Sequence, residues 1–181
     1  DNGTLKIWHT EPVSGNPEIL SQNNTVSCLS FCPDGRLMVS GDDEGTLEMW
    51  DTVRHVSLRR LKAHHGLVTS LVFADGWSFA SGSTDGDIRI WDAVTGDPLR
   101  GFQAPTGGVL SLAFARKNRQ LVSGGADGQI KLWDAASGRQ ISAQNGHQGA
   151  IHSVAVTPDD CWIISAGADG VIRVWDAATR A

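Results

Sequence analysis

Tryptophan recurs in this chain at a nearly fixed interval. Five of its seven tryptophans are Trp8, Trp50, Trp91, Trp133 and Trp175, spaced 42, 41, 42 and 42 residues apart. A period of roughly 20–50 residues marks a repeat architecture, in which each unit buries its apolar face only against a neighbour. Other columns keep the same period. A glycine lies five residues before each of these tryptophans, at Gly3, Gly45, Gly86, Gly128 and Gly170, preceded by Asn2, Glu44, Asp85, Asp127 and Asp169. Ten residues before the last four lie Ser40, Ser81, Ser123 and Ser165, and each of those four tryptophans is followed by aspartate.

Within one period the residues read as short strands. Val68–Phe73 is rich in β-branched and apolar types, and Asp75-Gly76 turns it into a second strand, Phe79–Gly82. Thr84-Asp85-Gly86 closes a tight hairpin, where glycine accepts the positive φ such turns require. Asp87–Asp92 makes a third strand, and after Val94–Pro98 the segment Leu99–Gln103 makes a weaker fourth. Helical periodicity is missing. The unit is therefore four antiparallel strands that need a neighbouring unit to cover them.

The Trp-Asp pairs, the run Ser81-Gly82-Ser83-Thr84-Asp85-Gly86 with its counterparts, and Gly146-His147 or Ala63-His64 resemble the repeats of WD-repeat (WD40-type) β-propellers, over essentially the whole chain. The resemblance implies an all-β propeller of four-stranded antiparallel blades around a central channel. With strands named a to d, residues 1–20 hold c and d, and residues 21–62, 63–103 and 104–145 each hold a full blade. Residues 146–181 hold a, b and c, so about four and a third blades are expected. Such propellers mostly have seven blades, which implies a segment of a seven-bladed or larger ring. Its cut edges would then be covered by remaining blades of the same chain or by a partner, because open strand edges invite aggregation.

Two sets of side chains look catalytic: His64, Ser81, Asp85 and Trp91, and His147, Ser165, Asp169 and Trp175. Serine, histidine and an acid together suggest a hydrolase. A nucleophile has no reason to recur once per blade, however, and the resemblance implies a hydrogen-bonded relay from Trp through Ser and His to Asp. The histidine position reads Gln22 in the blade of Trp50, with Glu44 as the acid, and Pro105 in the blade of Trp133. The relay is therefore expected whole in only two blades.

Composition narrows the function. Apolar types make up 40%, enough for a core, and 15 basic against 20 acidic residues give a net charge of −5, which disfavours a nucleic-acid or anionic membrane surface. Three cysteines are too few and too odd for a disulfide framework, and Cys28 with Cys32 lacks the second pair a zinc site needs. No apolar run approaches the roughly 18–20 residues of a membrane span. The expectation is an intracellular, cytoplasmic protein with no cofactor or metal. The resemblance implies a non-catalytic scaffold for other proteins or peptides, whose contacts lie where the d–a loops and b–c turns share one face. Those positions are Asp43, Thr84, Ala126 and Ala168 on the turns, and Asn24, His65, Thr106 and Gln148 on the loops. Trp77, on an a–b turn, is expected to protrude as a partner anchor, and Trp162, inside a b strand, to be packed.

Overall fold

A computed structural model describes residues 4–7, 18–104, 107–115 and 119–179; Trp8, Pro105 and Thr106 lie outside them. The described residues form seventeen strands. The first two, β1 (Thr4–Ile7) and β2 (Glu18–Ser21), pair as a ribbon. Three four-stranded sheets follow. The first holds β3 (Val26–Phe31), β4 (Leu37–Asp42), β5 (Thr46–Asp51) and β6 (Val56–Lys62). The second holds β7 (Val68–Phe73), β8 (Ser78–Ser83), β9 (Asp87–Asp92) and β10 (Pro98–Gln103). The third holds β11 (Val109–Ala115), β12 (Gln120–Gly125), β13 (Gln129–Asp134) and β14 (Gln140–Asn145). A last sheet of three holds β15 (Ile151–Val156), β16 (Trp162–Gly167) and β17 (Ile172–Asp176). All pairings are antiparallel and follow chain order, so each sheet is a meander, and the all-β, four-stranded-blade architecture is as the sequence pattern implies.

The blades are held face to face. Val39, Leu47 and Met49 of the first full blade pack on Val68, Leu71, Phe79 and Trp91 of the second. The second presents Ala80, Ile88 and Ile90 to Val109, Leu112, Leu121 and Trp133 of the third. The third covers Ile151, Val154 and Ile163 of the fourth with Val122, Ile130 and Leu132. Each buried aliphatic or phenyl side chain contributes roughly 1.5–3 kcal/mol, so these three seams carry most of the cohesion. The recurring tryptophan supplies the bulk that one blade turns toward its predecessor.

A bulge opens each a strand, between Val26 and Cys28, Val68 and Ser70, Val109 and Ser111, and Ile151 and Ser153. The residue it frees in the first two blades aims a hydroxyl at the next blade: Ser27 Oγ donates to the Val68 carbonyl at 2.5 Å and Thr69 Oγ1 to that of Val109 at 2.6 Å. Close approach there also needs glycine in strand b. A Cβ at Gly82 would stand 2.5 Å from Val109 Cγ1.

Two faces are left open, one wholly and one in part, among the described residues. On the fourth blade Ile172 and Val174 are 70% and 60% exposed, although Ile130 and Leu132 in the same register of the third blade are buried. Trp162 stands on that open face and is exposed, contrary to the packed position expected for it, because no described blade follows to cover it. At the other end β1–β2 covers Met38 and Trp50 with Leu5 and Leu20, leaving Leu29 and Phe31 half open.

Candidate partner-binding face

In the fourth blade the b–c turn is tied to the d–a loop beside it by an unbroken chain of side-chain hydrogen bonds. Trp175 Nε1 donates to Ser165 Oγ at 3.0 Å, Ser165 lies 2.8 Å from His147 Nε2, and His147 Nδ1 lies 2.8 Å from Asp169 Oδ1. Donors run in sequence from Trp175 to Asp169 with the proton on Nδ1, and the Arg173 guanidinium also stands 2.7 Å from that nitrogen. Arg173 donates to Asp169 Oδ2 at 2.9 Å. The His147 hydrogen bond, with help from Arg173, holds the Asp169 carboxyl far below the usual carboxylate range. Asp169 also accepts the backbone N–H of Gln148 at 3.2 Å, which fastens the loop.

The second blade repeats the arrangement with one looser link. Trp91 Nε1 donates to Ser81 Oγ at 2.9 Å and His64 Nε2 is 2.7 Å from the same oxygen. His64 Nδ1, however, stands 3.7 Å from Asp85 Oδ1, too far for a hydrogen bond, and has no other hydrogen-bond partner among the described residues. Asp85 is already occupied by the backbone N–H groups of His65 at 2.8 Å and Asp87 at 2.9 Å. Burial raises the Asp85 carboxyl, but these N–H donors outweigh it and leave it below its ordinary value. Burial pushes the His64 imidazole down to about 4 despite the facing Asp85, so it is neutral at pH 7.

Of the two blades expected to break the relay, the first full blade rebuilds it with other groups and the third keeps only its ends. In the first full blade Trp50 Nε1 donates to Ser40 Oγ at 2.8 Å, Ser40 Oγ donates to Gln22 Oε1 at 2.6 Å, and Gln22 Nε2 donates to Asp42 Oδ2 at 3.2 Å. The acid is the fully buried Asp42, not Glu44, which is exposed. Asp42 Oδ1 also accepts the backbone N–H of Glu44 and Thr46, at 3.1 and 2.7 Å. The sequence carried a signal for this. Asp42 occupies the strand position where the other blades have Ser83, Gly125 and Gly167, and a carboxylate inside a strand needs donors. In the third blade Trp133 keeps its bond to Ser123 Oγ at 2.8 Å, and the buried Lys131 reaches Asp127 Oδ2 at 2.5 Å.

Ser81 and Ser165 are wholly buried, so neither hydroxyl faces solvent, and each already accepts an indole N–H. His64, Asp85 and Asp87 bring three possible metal-ligand atoms within 4.8 Å of one another. Arg89 donates to Asp87 Oδ2 at 3.1 Å and Gln103 bonds its other oxygen, so a cation there would meet a guanidinium and a committed carboxylate. Cys28 and Cys32 are free thiols, and burial pushes Cys28 up to about 11.

The residues above this relay form a rim. Asp43, Thr84, Ala126 and Ala168 are exposed on their turns, and His65 and Gln148 on their loops. Backbone bonds join turn to loop: Asp43 N–H to Thr25, Thr84 to Leu67, Ala126 to Gly107 and Ala168 to Ala150. Asn24 departs from this set. It stands one place further along its loop than His65 and Gln148 do, which leaves it half-buried with its amide on Asp42 at 2.9 Å. At the opposite end of the b strands Trp77 is 71% exposed, while its backbone is fixed by Asp75 Oδ1, which accepts its N–H, and by Ala93 N–H, which donates to its carbonyl.

The family described as WD domain, G-beta repeat matches residues 17–51, 55–92, 96–134 and 138–176. Every match ends on a Trp-Asp pair, and the last three begin just before or at the d strand of the preceding blade, so one sequence repeat clasps two blades. Over 68 residues the chain is 34% identical to p21-activated protein kinase-interacting protein 1-like of Gallus gallus, covering 38% of this chain and 18% of that protein. It is 37% identical over 65 residues to F-box/WD repeat-containing protein 7 of Drosophila melanogaster, covering 35% and 5%. To Apoptotic protease-activating factor 1 of Rattus norvegicus it is 40% identical over 48 residues, covering 26% and 4%. The matched stretches thus span less than a fifth of these relatives.

Proposed function

The chain belongs to the WD-repeat family, and on that premise we propose that it is a non-catalytic platform for protein partners in an intracellular, cytoplasmic assembly. The observation that carries the reading is the rim itself. The half-buried Asp85 and Asp169 and the buried Gln22–Asp42 pair hold turns and loops from below, leaving Thr84, His65, Ala126, Ala168, Gln148 and Asp43 exposed on a stiff edge. Side chains there vary without touching the blade seams, which is how a rigid scaffold serves recognition. One relative is by its name an interacting protein, the same class of role. A hydrolase is disfavoured because the serine hydroxyls lie beneath this edge, away from any substrate.

Photo-crosslinking from Thr84, Ala126 and Ala168 in the cell tests the proposal. Crosslinks to proteins are expected from all three, and those from Ala126 and Ala168 are expected to be lost in a Thr84→Arg/His65→Glu variant of unchanged fold. Capture unaltered by that variant, or labelling of Ser81 or Ser165 by a covalent serine probe in the folded protein, overturns the reading.

A further inference from the structure

At the end of the blades away from the rim, the turn bearing Trp77 walls a cleft of about 850 Å³ between the second and third full blades. That size falls within the roughly 300–1,000 Å³ of ligand sites. The lining is apolar within and cationic without. Ile90 is buried, Phe114 half-buried and Leu99 exposed, while Arg100 and Arg119 extend into solvent. Neither arginine has a carboxylate within ion-pair distance among the described residues. The acidic member of the lining is Asp75, whose Oδ1 accepts the N–H of Trp77 and of Ser78 at 2.8 Å and the Ser78 hydroxyl at 3.1 Å, and so serves its own turn. Leu99 and Arg100 lie on β10, the outer edge of its sheet, where no strand among the described residues pairs with one side of the backbone and an added strand can do so.

We propose that this cleft receives an extended segment of a partner protein in which acidic and apolar residues alternate. Its carboxylates pair with Arg100 and Arg119, its apolar side chains enter between Leu99 and Phe114, and its backbone runs along β10. Bidentate guanidinium–carboxylate pairing supplies the charge selectivity. The alternation follows from the period of a strand, which sends successive side chains to opposite sides. The net charge of −5 discourages acidic peptides from binding elsewhere on the chain. The inference rests on the platform reading but names a surface separate from the rim.

Fluorescence anisotropy on the full chain tests it, using fluorescein-labelled peptides of alternating Glu and Leu, alternating Lys and Leu, and Glu alone. The Glu–Leu peptide is expected to bind best, and an Arg100→Glu/Arg119→Glu variant to weaken it roughly tenfold or more while gaining affinity for the Lys–Leu peptide. Arg54→Glu, on a c–d turn of the preceding blade, is expected to leave binding unchanged. The charge-neutral Arg100→Gln/Arg119→Gln pair, expected to fall between, covers the case in which the reversed charges disturb folding. Equal binding by wild type and both arginine variants, no binding of Glu–Leu peptide, or equal affinity for the Glu-only peptide overturns the proposal. Crosslinks from Thr84 persisting alongside such a result would overturn the cleft alone and leave the rim standing.

Discussion

The Ser40 hydroxyl donates to Gln22 Oε1 at 2.6 Å, so an amide in the first full blade stands where an imidazole stands in the second and fourth. Glutamine can do this because it offers an acceptor to serine and a donor to the next acid, as the Nδ1-protonated imidazole does. Gln22→Ala leaves Ser40 and Asp42 short of partners inside the blade and is expected to lower stability by about 1–3 kcal/mol in urea unfolding. Gln22→Glu is expected to be worse at pH 7, since it sets a second carboxylate against buried Asp42, and to recover in part on acidification. A Gln22→Ala protein as stable as wild type would show that this link carries no load.

His64 gives the protein a pH dependence whose sign can be worked out. Burial lowers its folded value to about 4, against an ordinary value of 6.5. Between these two values the unfolded chain binds a proton that the folded chain does not. Stability is therefore full above about pH 6.5 and falls as pH drops toward 4, by an amount on the order of 2–3 kcal/mol. Asp169 adds a separate loss at lower pH, because its carboxyl is depressed and its protonation below the ordinary carboxylate range breaks the bond to His147. Melting temperatures measured from pH 7 to 4 for wild type and His64→Gln check this. The variant should melt lower at pH 7 and lose less on acidification, and parallel curves would contradict a neutral buried imidazole.

Strand order and blade number were legible because tryptophan, glycine and serine recur in fixed register, and a residue that must fill or vacate the same space in every blade leaves a period. The relay was legible where its chemistry is spelled with the same letters, at His64 and His147. It was hidden where different atoms do the same work. Gln22 stands in the histidine column but bonds an acid from a different column, Asp42, and in the third blade Lys131 from strand c takes the turn acid Asp127, so a column-by-column reading records both as gaps. Asn24 stands two places after Gln22, whereas His65 and Gln148 stand one place after their histidines, so its amide turns inward to Asp42. Exposure of Trp162 follows from which face has a neighbour, and no property of a single strand reveals that.

Trp77 offers a spectroscopic handle on the a–b turn of the second full blade. Trp50, Trp91 and Trp133 are buried, whereas Trp77 is exposed and its backbone is anchored from both sides. Trp77→Phe is expected to change stability by no more than about 0.5 kcal/mol, as for other surface substitutions. It should also remove much of the red-shifted emission that acrylamide quenches, with exposed Trp162 supplying most of what remains among the described tryptophans. A large loss of stability would mean that the indole is packed in solution.

The glycine that follows the conserved-register serine in strand b sets the spacing between blades, and a double-mutant cycle isolates that role. At Gly41, Gly82 and Gly124 an added Cβ would come within 2.6, 2.5 and 2.6 Å of a β-branched side chain opening the next blade, Val68, Val109 and Ile151 respectively. None of the three takes a positive φ, so the requirement is space and not backbone conformation. Gly82→Ala should therefore cost about 1–3 kcal/mol by overpacking the seam. Val109→Ala should also destabilise alone, through the cavity it leaves. Together they should lose less than the sum, by about 1 kcal/mol or more, because the new methyl occupies the vacated volume. The fourth blade is the control. Ala166 stands in the same register with no described blade beyond it, so Ala166→Gly should cost only the backbone entropy of glycine, roughly 0.5–1 kcal/mol. Strict additivity of Gly82→Ala and Val109→Ala in urea unfolding would mean that the blades can shift apart freely, and the seam would no longer explain the glycine.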